Sequence, residues 1–191
     1  MGWHARRAGH MIAVMSTRLS ELFESAGALH LEPRAPLFHA GDGVGAMYLV
    51  RAGRVVLQRA TRGGDHVVLQ RAGPGAVPAE ASAYSPHYHC AAVAESAAEL
   101  AVMPLERFHD RLAEDAALAA LWARHLAHAV QQARMRAEMR SLRGVADRLE
   151  MWLDWHGALP ARGRWQALAD DLGVTREALY RELARRRRAA G

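Results

Sequence analysis

The sequence contains no lysine, so that all 25 basic residues are arginine. Together with the abundance of alanine, this absence points to a nucleotide-composition bias and weakens basicity as an argument for phosphate binding. Cysteine occurs once, at Cys90, which excludes an intramolecular disulfide and fits a reducing compartment. Long apolar runs are missing too. The stretch from Met11 to Met15 is too short for the core of a signal peptide, and nothing reaches the length of a spanning helix, so a soluble, cytoplasmic protein is expected. With 51% hydrophobic and 24% charged residues, wholesale disorder and fibrous architectures are excluded. The 191 residues suffice for two modest units.

The net charge of +5 and a pI near 10.3 favour a polyanionic partner, though modestly. Residues 1–15 show no period and are expected to form a flexible tail. From Ser16 to Ala26, Leu19, Leu22 and Phe23 recur at helical spacing and predict a short amphipathic helix. The pattern then changes. Between Leu31 and Leu105, short apolar runs are punctuated by Ala40-Gly41-Asp42-Gly43, Ala52-Gly53-Arg54, Arg62-Gly63-Gly64-Asp65 and Ala72-Gly73-Pro74-Gly75. Such turn chemistry at regular intervals predicts a β-sandwich or barrel, with Val55 to Gln58 and Val67 to Gln70 as an antiparallel hairpin.

Past Pro104 the glycines stop, and Leu105 to Leu142 reads as a long helical stretch, broken once near Asp115. Within it Ala119, Ala123, Leu126, Val130, Ala133 and Ala137 alternate at spacings of four and three, which makes a seam for a partner helix. Alanines bury little area, so Trp122 and Met139 are expected to support the pairing. The alternative is a helix packed on its own domain.

Val145 to Trp155 forms a further amphipathic pattern, ended by Gly157 to Gly163 with Pro160. Two short helices follow, Trp165 to Leu172 and Thr175 to about Arg188, joined by Gly173-Val174. Glycine stands where a helix C-terminus needs positive φ, and Thr175 offers a hydroxyl to cap the next helix. This is a helix-turn-helix pattern. Leu168, Ala169, Leu172, Val174, Ala178, Leu179 and Leu183 supply its apolar side, while Thr175, Arg176, Glu177, Tyr180 and Arg181 are free to face outward. Arginine can bond both acceptors of guanine, glutamate can accept from the cytosine amino group, and Thr175 can reach a phosphate. The run Arg185, Arg186, Arg187 and Arg188 either holds phosphates or is a solvated tail.

From Ser16 onward the chain resembles the Crp/Fnr family of bacterial transcription regulators. Three stretches carry the resemblance: Phe38-His39-Ala40-Gly41-Asp42 with Met47 to Val55; Gly73-Pro74-Gly75 with Ala91 to Ala94; and Leu168 to Arg181, the most specific of the three. The resemblance implies an α+β fold. Its parts are a double-stranded β-roll sensor of the cyclic-nucleotide-binding type over 16–112, a dimerisation helix over 113–141 and a helix-turn-helix domain over 142–191. It further implies a homodimer on double-stranded DNA, with RNA polymerase as a candidate partner and no enzymatic activity. Arg176, Glu177 and Arg181 fall on base-reading positions and Thr175 on a phosphate-contacting one.

Departures from the family pattern carry expectations of their own. Glu80, His89 and Cys90 are the candidate effector-pocket residues. Where nucleotide-binding relatives place Gly-Glu and then Arg-Ser or Arg-Thr, this sequence has Ala79-Glu80 and His89-Cys90. Without that arginine the bidentate contact to a cyclic phosphate is lost, so no cyclic-AMP response is expected. Only one cysteine is present, so no iron-sulfur cluster is expected; whether any other cofactor binds is left open, with none as the first expectation. The family's β-hairpin wing does not follow the recognition helix, which predicts weaker DNA binding or phosphate contacts from Arg185 to Arg188 instead.

His87, His89 and Cys90 lie within four residues, and as a strand the histidines would share a face with Cys90 opposite. They are weak candidates for a metal or haem site; the alternative is loop and core residues. A cupin-like metal enzyme is the rival from another class, since His87-Tyr88-His89 mimics its His-x-His pair, but the preceding glycine is absent and Glu95 sits one residue too far along. A dimeric regulator acting by protein contacts without DNA is the third reading.

Overall fold

Short apolar runs separated by glycine become seven antiparallel strands, because β-branched and apolar residues suit a pleated surface buried on alternate sides. The computed structural model describes residues 19–64 and 66–189. The strands are β1 (Gly27–Leu31), β2 (Pro36–Phe38), β3 (Ala46–Ala52), β4 (Val55–Ala60), β5 (His66–Ala72), β6 (Ala91–Ala94) and β7 (Ala98–Pro104). They form two sheets, ordered β1-β7-β3 and β2-β6-β4-β5. The expected β4–β5 hairpin is present, with Val55 opposite Ala72 and Ala60 opposite His66. The tail expected over residues 1–15 lies outside the described residues. Of the helix expected over Ser16–Ala26, Leu19 to Leu22 is helical and Phe23 to Ser25 a turn.

Period-two alternation divides the strand side chains between two cores. Ala98 and Leu100 of β7 and Val50 of β3 face the four-stranded sheet, joining Phe38, Val55, Leu57, Tyr88 and Cys90. Ala101, Met103, Met47 and Leu49 face the other way, onto Leu19, Leu22, Phe23 and the helices that follow. Glycine is required at one turn in particular. Gly53, between β3 and β4, has φ +76°, and a Cβ there would stand 2.0 Å from the carbonyl oxygen of Ala97. The turn is tied down by Glu95, which accepts from Arg54 at 3.2 Å and Arg71 at 3.1 Å.

Helix α1 (Leu105–Glu114) is followed by α2 (Ala116–Ser141), with Asp115 extended between them. The break falls where the sequence placed it, because the Asp115 carboxylate caps α2 by accepting from the N–H groups of Ala117 (2.7 Å) and Leu118 (3.1 Å). No helix among the described residues is long and apolar enough to cross a membrane.

The chain divides into two compact units between Leu126 and Ala127, inside α2. The boundaries expected at 112/113 and 141/142 instead follow the ends of α1 and α2 to within two residues. The first turns of α2 belong to the β-roll unit, since Leu118, Leu121 and Trp122 complete its helical core. Trp122, expected to support the partner seam, is 2% exposed, lies edge-on to Phe108 at 5.0 Å, and packs in the core of its own unit instead. Met139 is likewise buried in the core of its own unit. Along the seam itself Ala123, Val130, Ala133 and Ala137 are exposed and Ala119 and Leu126 half-buried, Val130 at 48%.

Candidate nucleic-acid interface

The C-terminal unit is built from α3 (Val145–His156), a 3₁₀ turn (Arg162–Arg164), α4 (Trp165–Leu172) and α5 (Arg176–Ala189). Leu149, Trp152, Leu168, Ala169, Leu172, Leu179 and Leu183 form its core with Met139, as helical spacing of those residues requires. Gly173 adopts the left-handed conformation (φ 64°, ψ 42°) that ends α4. Its N–H bonds the Asp170 carbonyl at 3.1 Å, and that of Val174 the Ala169 carbonyl at 3.0 Å. The Thr175 hydroxyl then accepts from the Ala178 N–H at 3.2 Å, capping α5.

Sequence reading missed two arginines that hold this turn from outside the motif. Arg148 on α3 donates to the carbonyls of Leu142 (2.8 Å), Leu172 (3.0 Å) and Gly173 (3.1 Å). Arg140 on α2 donates to those of Asp170 (3.0 Å) and Asp171 (3.3 Å). A helix C-terminus carries partial negative charge and unsatisfied carbonyls, so two guanidiniums both bond and neutralise it. Arg148→Ala should therefore lower the unfolding free energy by about 2–3 kcal/mol. Arg148→Lys should recover only part of this, because an ammonium cannot fork between carbonyls. Tryptophan fluorescence during guanidinium unfolding reads the change, and an Arg148→Ala midpoint equal to wild type would refute the clamp.

On α5, Thr175, Arg176, Glu177 and Arg181 are exposed as expected. Tyr180 is not free: it is half-buried, meets Trp165 edge-on at 5.2 Å, and accepts a hydrogen bond from Arg176 Nη2 at 3.2 Å. That bond pushes the Arg176 guanidinium pKa upward.

The arginine run divides. Arg185 makes a bidentate pair with Glu182, both contacts 2.8 Å, and remains 64% exposed. Arg186 is 28% exposed and donates to Glu182 (2.8 Å), the Ala146 carbonyl (2.9 Å) and Glu150 (3.4 Å). It braces α5 against α3, which corrects its placement among the free phosphate-contacting cations. Arg187 and Arg188 are exposed and helical, not a loose tail. The Glu182 carboxyl is held down to about 2, chiefly by the Arg185 hydrogen bond and then, against the opposing effect of burial, by Arg186. Its contribution to stability is complete above the ordinary carboxylate range and is lost progressively as pH falls from that range through about 2.

The candidate effector residues lie in the β-roll unit. Glu80 accepts from Gln70 Nε2 at 3.0 Å, while Gln70 Oε1 accepts from the N–H of Ala79, itself left-handed at φ 54°. Cys90 is buried, and burial pushes its thiol up, partly offset by the nearby Arg59 and reinforced by Glu80. Arg59, which sequence reading did not single out, donates to the His89 carbonyl at 3.1 Å. Arg59 and Glu80 thus both act electrostatically on Cys90. The His89 ring is exposed and bonds Ser85 Oγ at 3.2 Å instead. Phe38 stacks on Tyr88 at 3.7 Å within the adjacent apolar core.

His87 and His89 are exposed while Tyr88 and Cys90 are buried, in a loop that makes one isolated bridge, from His87 to Gly43, rather than a strand. Among the described residues, no three His, Cys, Asp or Glu side chains gather as a metal ion would require.

Residues 28–115 match the family model of the cyclic nucleotide-binding domain. The c-di-GMP responsive global regulator CLP of Xanthomonas campestris aligns at 21% identity and a TM-score of 0.68, over 90% of this chain and 91% of its own. The chain shares the fold of that structure. FixK2 of Bradyrhizobium japonicum shares the fold at 16% identity and a TM-score of 0.71, over 86% of each chain. The sensor domain of the transcriptional regulator DNR from Pseudomonas aeruginosa aligns at 22% identity and a TM-score of 0.51, covering 68% of this chain and 84% of that one. No curated protein sequence matches significantly.

Proposed function

We propose that the chain is a cytoplasmic transcription regulator that binds double-stranded DNA sequence-specifically as a homodimer. The observation that carries this reading is the helix-turn-helix: a glycine-ended α4, a threonine-capped α5 and an exposed row of Thr175, Arg176, Glu177 and Arg181. In the major groove Arg176 and Arg181 bond guanine edges and Glu177 accepts from cytosine. Thr175, Arg185, Arg187 and Arg188 hold phosphates, and the exposed Arg162 and Arg164 ahead of α4 reach the flanking backbone.

Dimerisation runs along α2, where Ala123, Val130, Ala133 and Ala137 present a small, uncovered stripe to a second copy. The two recognition helices then sit about 34 Å apart, one turn of duplex. RNA polymerase is the partner through which such a regulator acts. No cofactor or catalytic step is required.

Selection of duplexes from a random library by the purified chain tests this reading. A palindrome with half-sites one helical turn apart should be enriched. Enrichment of none would favour a regulator working by protein contacts, or a metal enzyme, over DNA reading.

A further inference from the structure

Four side chains form a continuous row on the C-terminal unit. The Arg162 guanidinium lies 5.8 Å over the Trp165 ring, and the Trp165 indole N–H donates to the Pro160 carbonyl at 3.1 Å. Trp165 meets Tyr180 at 5.2 Å with planes 71° apart. Tyr180 lies under the Arg176 guanidinium, 5.2 Å from ring centre to carbon, and its hydroxyl accepts from Nη2 at 3.2 Å.

The order of stiffness along this row is set by burial. Trp165 and Tyr180 are half-buried rings with two torsions each, whereas Arg176 is a long exposed chain on the first turn of α5. Residues four apart on a helix share a face, so Tyr180 is the support and Arg176 the group supported. An unsupported arginine must give up its rotamer freedom when it meets a base. One held beforehand does not, and its remaining donors stay available, because the guanidinium carries five N–H groups and Tyr180 takes one. Phosphate-contacting arginines need no such support, since a phosphate accepts from many directions. A bidentate contact to guanine does need it.

We propose that Tyr180 is a specificity-determining positioning residue: braced by Trp165, it fixes the Arg176 guanidinium in its base-reading posture before duplex arrives. This rests on the DNA-reading proposal above. It goes beyond that proposal in assigning discrimination at one base pair to a side chain that touches no base.

The test uses the full chain and the duplex enriched by selection, with each base pair of one half-site replaced in turn. Wild type, Arg176→Ala, Tyr180→Phe and the double variant are compared by competition binding at two salt concentrations. Phenylalanine keeps the ring against Trp165 and removes only the hydroxyl, so folding is preserved. At the base pair whose identity ceases to matter in Arg176→Ala, Tyr180→Phe should lower discrimination about three- to tenfold. Other positions and the salt slope should not change, and Tyr180→Phe should add nothing in the Arg176→Ala background. Wild-type discrimination in Tyr180→Phe would overturn the proposal while leaving DNA reading intact. A uniform loss at every position would also overturn it, since that is what a merely structural role predicts. Failure of the wild-type chain to enrich any duplex would overturn both.

Discussion

Replacing Gly53 with alanine should cost roughly 3–5 kcal/mol, enough to leave much of the β-roll unit unfolded at 37 °C. Two penalties add. A left-handed backbone at φ +76° costs any L side chain about 1–2 kcal/mol. The larger penalty is steric, because the new Cβ would stand 2.0 Å from the Ala97 oxygen and 2.7 Å from Ala98 Cα, both backbone atoms that cannot rotate aside. Relieving the clash means parting the β3–β4 turn from the start of β7, which pulls at the Arg54–Glu95–Arg71 ion pairs. Gly64→Ala is the control. That glycine is also left-handed, at φ +86°, but a Cβ there meets nothing within 4 Å, so only the conformational penalty applies. Chemical unfolding followed by circular dichroism separates the two variants. Equal losses would show that the close approach at Gly53 relaxes freely.

Arg176→Ala combined with Arg181→Ala should abolish sequence preference, lowering the ratio of specific to non-specific affinity by at least about a hundredfold. Each bidentate arginine–guanine pair is worth about 1–3 kcal/mol, and a dimer has two of each. Residual binding should persist without preference, held by Arg187, Arg188 and the arginines ahead of α4 through phosphate contacts. Arg176 and Arg181 are exposed and outside the core, so thermal stability and dimer formation should be unaffected. Competition between the selected duplex and its shuffled counterpart measures the ratio. If preference survives in a folded double variant, base reading belongs elsewhere on the molecule.

Features whose determinants are local were legible in the sequence. The β4–β5 hairpin follows from its glycines, the break at Asp115 from a capping carboxylate, and the turn into α5 from Gly173 and Thr175. Features set by distant partners were not. Arg148 reaches carbonyls 24 and 25 residues away, Arg186 one 40 away, and Arg59 one 30 away. Nothing in the local pattern distinguishes such an arginine from a solvated one. Trp122 was misplaced for a related reason. A heptad-like stripe shows that one face of α2 is apolar, but Leu118, Leu121 and Trp122 form a second apolar face beside it. Only tertiary packing decides which of the two meets the chain's own strands. The Arg185–Arg188 run posed the same difficulty at shorter range, where Arg186 alone of the four turns toward α3 and the others stay exposed.

The clamp that Arg140 and Arg148 place on the end of α4 makes the helix-turn-helix dependent on its surroundings. Residues 165–189, cut out as a peptide or grafted onto another protein, would keep the glycine, the threonine cap and the reading side chains. They would lose the two external guanidiniums that bond the carbonyls at the end of α4. Chimeras that aim to move this helix-turn-helix intact must therefore be joined upstream of Arg140, so that the turn travels with its fasteners.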